Sequence, residues 1–300
     1  MDDPRRKCAD RAHPHLWAVS DLHVGHPVNR SIADGLAAQH PDDWLLVAGD
    51  VAESSSRTQE VLAGLRSRFR RVIWTPGNHE LWTHPRDEDQ SRGVERYAGL
   101  VEKCRKIEVL TPEDEYVTWR APEQELVIAP VHLLYDYSFR DPGTDLDSAL
   151  EAAWEAGHVF SDELLLHPDP YPTRQEWCHA RVASTEKRLA DLGKGSPIIV
   201  VNHYPLIEEP VRRMFSPHLA MWCGTRLTSE WHKRFPIHAV VHGHLHMPRS
   251  SVHDGVAVEE VSLGYPREWG NRETPFAPRL IACGVSAVGR YDTGAPSRPK

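Results

Sequence analysis

No run of about 18 apolar residues occurs anywhere in the 300-residue chain, which excludes an ordinary membrane-spanning helix. Cysteine is sparse. The five (Cys8, Cys104, Cys178, Cys223 and Cys283) are scattered, odd in number and free of any C-x-x-C pair. That excludes a disulfide framework or a zinc knot and leads us to expect reduced thiols. Met1 to Arg11 is polar, with no apolar core behind its basic residues. It does not read as a secretory signal, and a cytoplasmic location is the expectation. No internal repeat, linker or low-complexity tract is visible. Basic charge is not in excess: Lys and Arg number 35 against 43 Asp and Glu, for a net charge of −8. A nucleic-acid partner is therefore not expected. The one basic cluster, Arg66, Arg68, Arg70 and Arg71, falls at the end of a predicted helix, where cations complement the helix dipole. What the chain does have is nineteen histidines, and their placement carries the argument.

The opening reads β-α-β-α-β. Leu16 to Val19, Trp44 to Ala48 and Val72 to Trp74 are continuous apolar runs, as in strands covered on both faces. A short helix is expected over Ser31 to Gln39. A longer one follows a capping box at Ser56 to Gln59, with Val61, Leu62, Leu65 and Phe69 on one face. This is the pattern of a parallel sheet with crossover helices, whose sites collect where strands end. Farther on, strands are expected at Ile107 to Leu110, Tyr116 to Trp119, Leu126 to Val131, Pro197 to Val201 and Ile237 to Val241. A helix capped at Thr173 should end near Gly193. Asp254-Gly255 marks a hairpin within Val252 to Val261, and a last apolar run covers Leu280 to Val285. Residues 141 to 172 are rich in Pro, Asp and Gly and read as a surface excursion.

Five polar motifs follow strand-like runs: Asp21-Leu22-His23, Gly49-Asp50, Gly77-Asn78-His79-Glu80, Asn202-His203 and Gly243-His244-Leu245-His246. One such Asp or His is usually a turn or cap residue. Five in order are not explained that way. Together they resemble the calcineurin-like metallophosphoesterase superfamily, across residues 21 to 246. The resemblance implies an α/β fold of two packed mixed β-sheets flanked by helices, a four-layer αββα sandwich. It also implies two metal ions, Mn, Fe or Zn. Asp21, His23, Asp50 and His246 would hold one; Asp50, Asn78, His203 and His244 would hold the other. A binuclear site needs a carboxylate able to bridge two cations beside neutral imidazoles, and Asp50 fills that role. In an extended Gly-His-x-His the two imidazoles share a face.

The implied chemistry is phosphoester hydrolysis, phosphatase or phosphodiesterase, by metal-activated hydroxide attacking in line. His79 would be the general acid or a donor to the phosphoryl group. Glu80 is read as structural, orienting an imidazole from behind. The family often places an acid and an arginine after Gly-Asp; here Glu53 is followed by Ser54 and the arginine is missing. Arg212, Arg213, Arg267, His26 and His132 are the candidates to replace it. Asp254 and His253 read as structural and His13 and His15 as surface residues. Tyr135 and Tyr137 read as packing rather than a base-stacking platform, and His242 as facing away or supporting. A small phosphorylated substrate, nucleotide or phosphomonoester, is the expected partner, with a phosphoprotein as the other possibility. A non-catalytic scaffold on the same fold is the alternative, opposed by the complete ligand set. An amidohydrolase barrel is opposed by the late position of His244-x-His246. The expected organisation is a flexible 1–14, a single domain over 15–290 with an insertion or partial cap at about 85–195, and a flexible 291–300.

Overall fold

The computed structural model describes residues 13–87, 89–122, 124–158, 160–193, 195–270 and 276–283. The expectations for the two chain ends fall outside these residues, except at residues 13 and 14. Among the described residues, ten strands form two sheets. The first, in order β10-β1-β2-β3, holds β1 (His15–Val19), β2 (Trp44–Val47) and β3 (Arg71–Trp74) in parallel, with β10 (Arg279–Cys283) antiparallel to β1. The second runs β4-β5-β6-β7-β9-β8. It comprises β4 (Val117–Ala121), β5 (Gln124–Pro130), β6 (Ile198–Val201), β7 (Ile237–His242), β8 (Arg249–His253) and β9 (Val256–Glu260).

The continuous apolar runs form strands because both of their faces are covered. Leu16, Ala18, Leu46, Ala48 and Ile73 meet Ile128, Ile199, Val201 and Val241 in the layer between the sheets. Their neighbours Leu45, Val47, Val72, Trp74, Ile198 and Val200 point the other way, toward the helices. Alternation with a period of two thus builds two apolar layers from one run. Each such side chain is worth about 1.5–3 kcal/mol when fully buried. Helix α1 (Pro27–Gly35), α2 (Ser55–Arg68), α3 (Asn78–Leu81) and α4 (Gly93–Lys106) accompany the first sheet. The middle segment adds α5 (Leu146–Glu155), α6 (Asp162–Leu165) and α7 (Arg174–Asp191), and α8 (Trp231–Arg234) and α9 (Pro266–Trp269) follow. The four-layer arrangement expected of two mixed sheets with flanking helices is what the structure shows.

Several local expectations shift. The first helix begins four residues early because Pro27 occupies its first turn, where a missing N–H costs nothing. The cap of α2 is Ser54, whose hydroxyl accepts from the Arg57 amide, two residues before the expected box. Thr173 caps α7 as read. Ile107 to Leu110 is not a strand; only Leu110 makes an isolated bridge, to Ile73. Cys283 is disulfide-bonded, so the expectation of five reduced thiols fails there, whereas Cys104, Cys178 and Cys223 are buried free thiols.

Candidate active site

The five motifs converge where β1, β2, β3, β6 and β7 end. Backbone strain marks the place. Eight non-glycine residues have positive φ among the described residues, and five of them are candidate ligands: Asp21, His23, Asp50, His244 and His246. Such conformations cost about 1–3 kcal/mol each and persist where the surroundings over-determine them. Two glycines make room. A Cβ at Gly77 would lie 2.0 Å from Asp50 Oδ1, and one at Gly243 would lie 2.0 Å from Ser20 Oγ and 2.2 Å from Asp21 Oδ2.

Three donor groups interlock: Asp21, His23 and His246; Asp21, Asp50 and His203; His23, Asp50 and His79. His246 Nε2 lies 3.1 Å from Asp21 Oδ1 and 3.2 Å from His23 Nε2. Around Asp50 Oδ2 stand the Nε2 atoms of His203 at 3.4 Å, His79 at 3.7 Å and His23 at 4.0 Å. Asn78 Oδ1 is 3.1 Å from His203 Nε2. His244 joins through its ring, 5.1 Å from that of His203, and through its amide, which donates to Asp21 at 3.0 Å.

The electrostatics ask for cations. Asp21 and Asp50 are buried, at 0% and 2% exposure. Among the described residues their only ion-pair partners are imidazoles, with no Lys or Arg. Burial first, then the charges of Glu80 and Asp21, pushes Asp50 well above the usual carboxylate range. Burial also pushes Asp21 up, but His246, His203 and His23 outweigh it and hold it well below. His23 and His244 are held well below the ordinary imidazole value, mainly by burial. A buried carboxylate pair with neutral imidazoles beside it suits divalent ions. This arrangement fits the expected metals.

Orienting partners surround the set. Glu268 sits 2.7 Å from His246 Nδ1, and the Ala48 carbonyl 2.8 Å from His203 Nδ1; each turns the Nε2 of its imidazole inward. Ser262 donates to Asp21 Oδ2 at 2.7 Å. Glu80 departs from its expected role. Its carboxylate accepts the backbone N–H groups of Asp50, Val51 and Gly77 at 2.7–2.9 Å, so it ties two loops together rather than orienting an imidazole. His79 packs against Trp82 at 3.7 Å between ring centroids, with Tyr265 Oη 3.4 Å from its Nε2 and Glu53 Oε1 3.5 Å from its Nδ1.

The sequence model of the calcineurin-like phosphoesterase family matches residues 14–248. The chain belongs to the calcineurin-like phosphoesterase family. This phosphoesterase is 48% identical over 263 residues to the [acyl-carrier-protein] phosphodiesterase PptH of Mycobacterium tuberculosis, covering 87% of this chain and 81% of that protein. It also resembles the crystal structure of the phosphopantetheinyl hydrolase PptH from Mycobacterium tuberculosis. The TM-score is 0.88 at 47% identity, over 91% of this chain and 97% of that one. The phosphoesterase is thus a phosphoric ester hydrolase of α/β fold.

Some expected site residues lie elsewhere. His132 is buried against Tyr97 and Trp177. Arg212 and Arg213 pair with Glu208 and Glu209. Arg267 lies over the Tyr265 ring. His242 lines a separate cavity with Leu245, Arg249 and Glu260. His15 is buried on Asp43 rather than at the surface, and Tyr135 and Tyr137 are buried packing residues. Sequence reasoning missed Tyr265, Ser262, Glu268 and Asp162, none of which sits in a motif. It also missed two arginines. A cleft of about 420 Å³ opens beside His23 and Tyr265, and Arg57 and Arg86 line it together with His26, His84 and Glu53. Neither guanidinium has a carboxylate partner among the described residues, whereas Asp87 is engaged by Arg96 at 3.0 Å.

Proposed function

We propose that the phosphoesterase uses two metal ions to hydrolyse the phosphodiester joining a phosphopantetheinyl group to an acyl-carrier protein. The observation that carries this reading is the near full-length likeness to an acyl-carrier-protein phosphodiesterase, in a chain whose candidate ligands converge on two buried carboxylates. The substrate is then a phosphoprotein, in place of the small phosphorylated molecule first expected. Asp21, His23, Asp50 and His246 would hold one ion, and Asp50, Asn78, His203 and His244 the other. Bound there, the ions would neutralise charge on the phosphoryl group and make a water acidic enough to attack phosphorus.

The chain's own residues do the rest. His79, beside Asp50 Oδ2 and the Tyr265 hydroxyl, is placed to protonate the leaving oxygen. The packed Trp82 ring and the nearby Glu53 hold its ring. Water adds its oxygen to phosphorus, the bond from phosphorus to the carrier oxygen breaks, and the carrier leaves as a free hydroxyl. Arg57 and Arg86 take the place of the arginine missing after Asp50, gripping anionic groups of the substrate in the cleft.

The test is intact mass of a phosphopantetheinyl carrier incubated with protein refilled with Mn²⁺, Fe²⁺ or Zn²⁺. A chromogenic diester and the matching monoester serve as comparison. Release of the prosthetic group, preference for the diester, and loss of turnover in Asp50→Asn by about 10³-fold or more are expected. An unchanged carrier under every metal would end the substrate reading. Full activity in Asp50→Asn would end the metal assignment. No observation here favours a non-catalytic scaffold.

A further inference from the structure

Asp162 is a fully buried carboxylate (0% exposure) with no Lys or Arg partner among the described residues. Its Oδ1 accepts from Asn78 Nδ2 at 2.9 Å and from Trp82 Nε1 at 2.6 Å. It lies outside the tight clusters of metal-binding donors, and it comes from α6, 84 residues after Asn78.

The chemistry of that contact is directional. The Trp82 indole N–H can only donate, so Asp162 Oδ1 acts as an acceptor, and an amide has one face that donates and one that accepts. Asp162 therefore requires Asn78 to present its nitrogen outward, which leaves Oδ1 toward His203 Nε2. A metal ion needs that oxygen; the flipped amide would offer it N–H groups.

The corner that carries Asp162 is itself fastened. Arg174, at the start of α7, donates to the Asp162 carbonyl at 2.6 Å, the Leu166 carbonyl at 2.8 Å and Glu163 Oε2 at 2.8 Å. Glu163 Oε1 also accepts from Tyr137 Oη and Trp222 Nε1, each at 2.7 Å. We propose that Asp162 is a positioning residue that locks Asn78 in the single orientation able to ligate a metal. The middle segment is then part of the metal centre rather than only a cap over it. This rests on the two-metal reading above.

The test is calorimetric titration of Mn²⁺ and Zn²⁺ into the metal-stripped full chain, beside thermal melts. In Asp162→Leu, affinity for one ion should fall about 10–100-fold while the other holds within about twofold. Asp162→Asn keeps an acceptor and should retain most of the affinity. Should Asp162→Leu fail to fold, Asn78→Asp decides. Alone it sets two buried carboxylates face to face and should weaken the same ion. Combined with Asp162→Asn, whose new amide can donate, affinity should return. Unchanged binding of both ions in folded Asp162→Leu, or a double variant no better than the single, overturns the proposal. A wild-type protein that binds fewer than two ions overturns the two-metal reading and this inference with it.

Discussion

At the scale of single residues, Glu260 shows how burial near the site couples to pH. It is enclosed beside the Ser262 hydroxyl, and burial first, then the Asp21 charge, pushes its carboxyl up to about 7 from 4.5. The folded metal-free protein thus holds this proton more tightly than the unfolded chain. The stability this supplies is complete below about pH 4.5 and is lost as pH rises through about 7, a span worth about 3 kcal/mol. Glu260→Gln cannot lose it. Urea unfolding of the two metal-free proteins between about pH 4 and 8 should show wild type falling relative to the variant by about that amount. A pH-independent difference would remove Glu260 from the account. Glu80 makes the complementary point. Its type was legible as structural, but its partners, three backbone amides on two loops, follow from the folded arrangement and not from its place after His79.

At the scale of elements, function gathers where strands stop. The apolar runs were legible because coverage on both faces leaves no alternation in the sequence, and the motifs were legible because each directly follows a run. Less legible was the way α2 and the loop after α3 bring Arg57 and Arg86 to one cleft. Both side chains are solvent-exposed, so reversing their charge should change stability by no more than about 0.5 kcal/mol. It should nonetheless weaken an anionic partner. For Arg57→Glu with Arg86→Glu, we expect kcat/KM on a phosphopantetheinyl carrier to drop about tenfold or more, with a shallower salt dependence. Equal kinetics before and after the change would show that the cleft does not grip substrate.

At the scale of the whole molecule, the first sheet and the second come together on one apolar layer, and the two buried carboxylates lie at its end. No helix among the described residues is long and apolar enough to cross a membrane. Because Asp21 and Asp50 are buried without a Lys or Arg partner among the described residues, ions bound there favour the folded state by mass action. Stripping the protein with a chelator should lower Tm by several degrees, and refilling should restore it, with the effect lost in Asp50→Asn. A Tm indifferent to chelation would mean that the carboxylates are compensated without ions.

The sequence alone determined the buried strands, the order of motifs and the family, because each depends on residues adjacent or nearly adjacent along the chain. Tertiary structure decided what lies between distant segments. Asp162 meets Asn78 across 84 residues, Glu268 meets His246 across 22, and Ser262 meets Asp21 across 241. It also decided the left-handed backbone at five candidate ligands and the pairing of β10 with β1. None of these leaves a periodic or local trace. A hydrogen-bond partner is chosen by position in space, and an isolated Asp, Ser or Glu in a loop looks the same whether it orients a ligand or faces water.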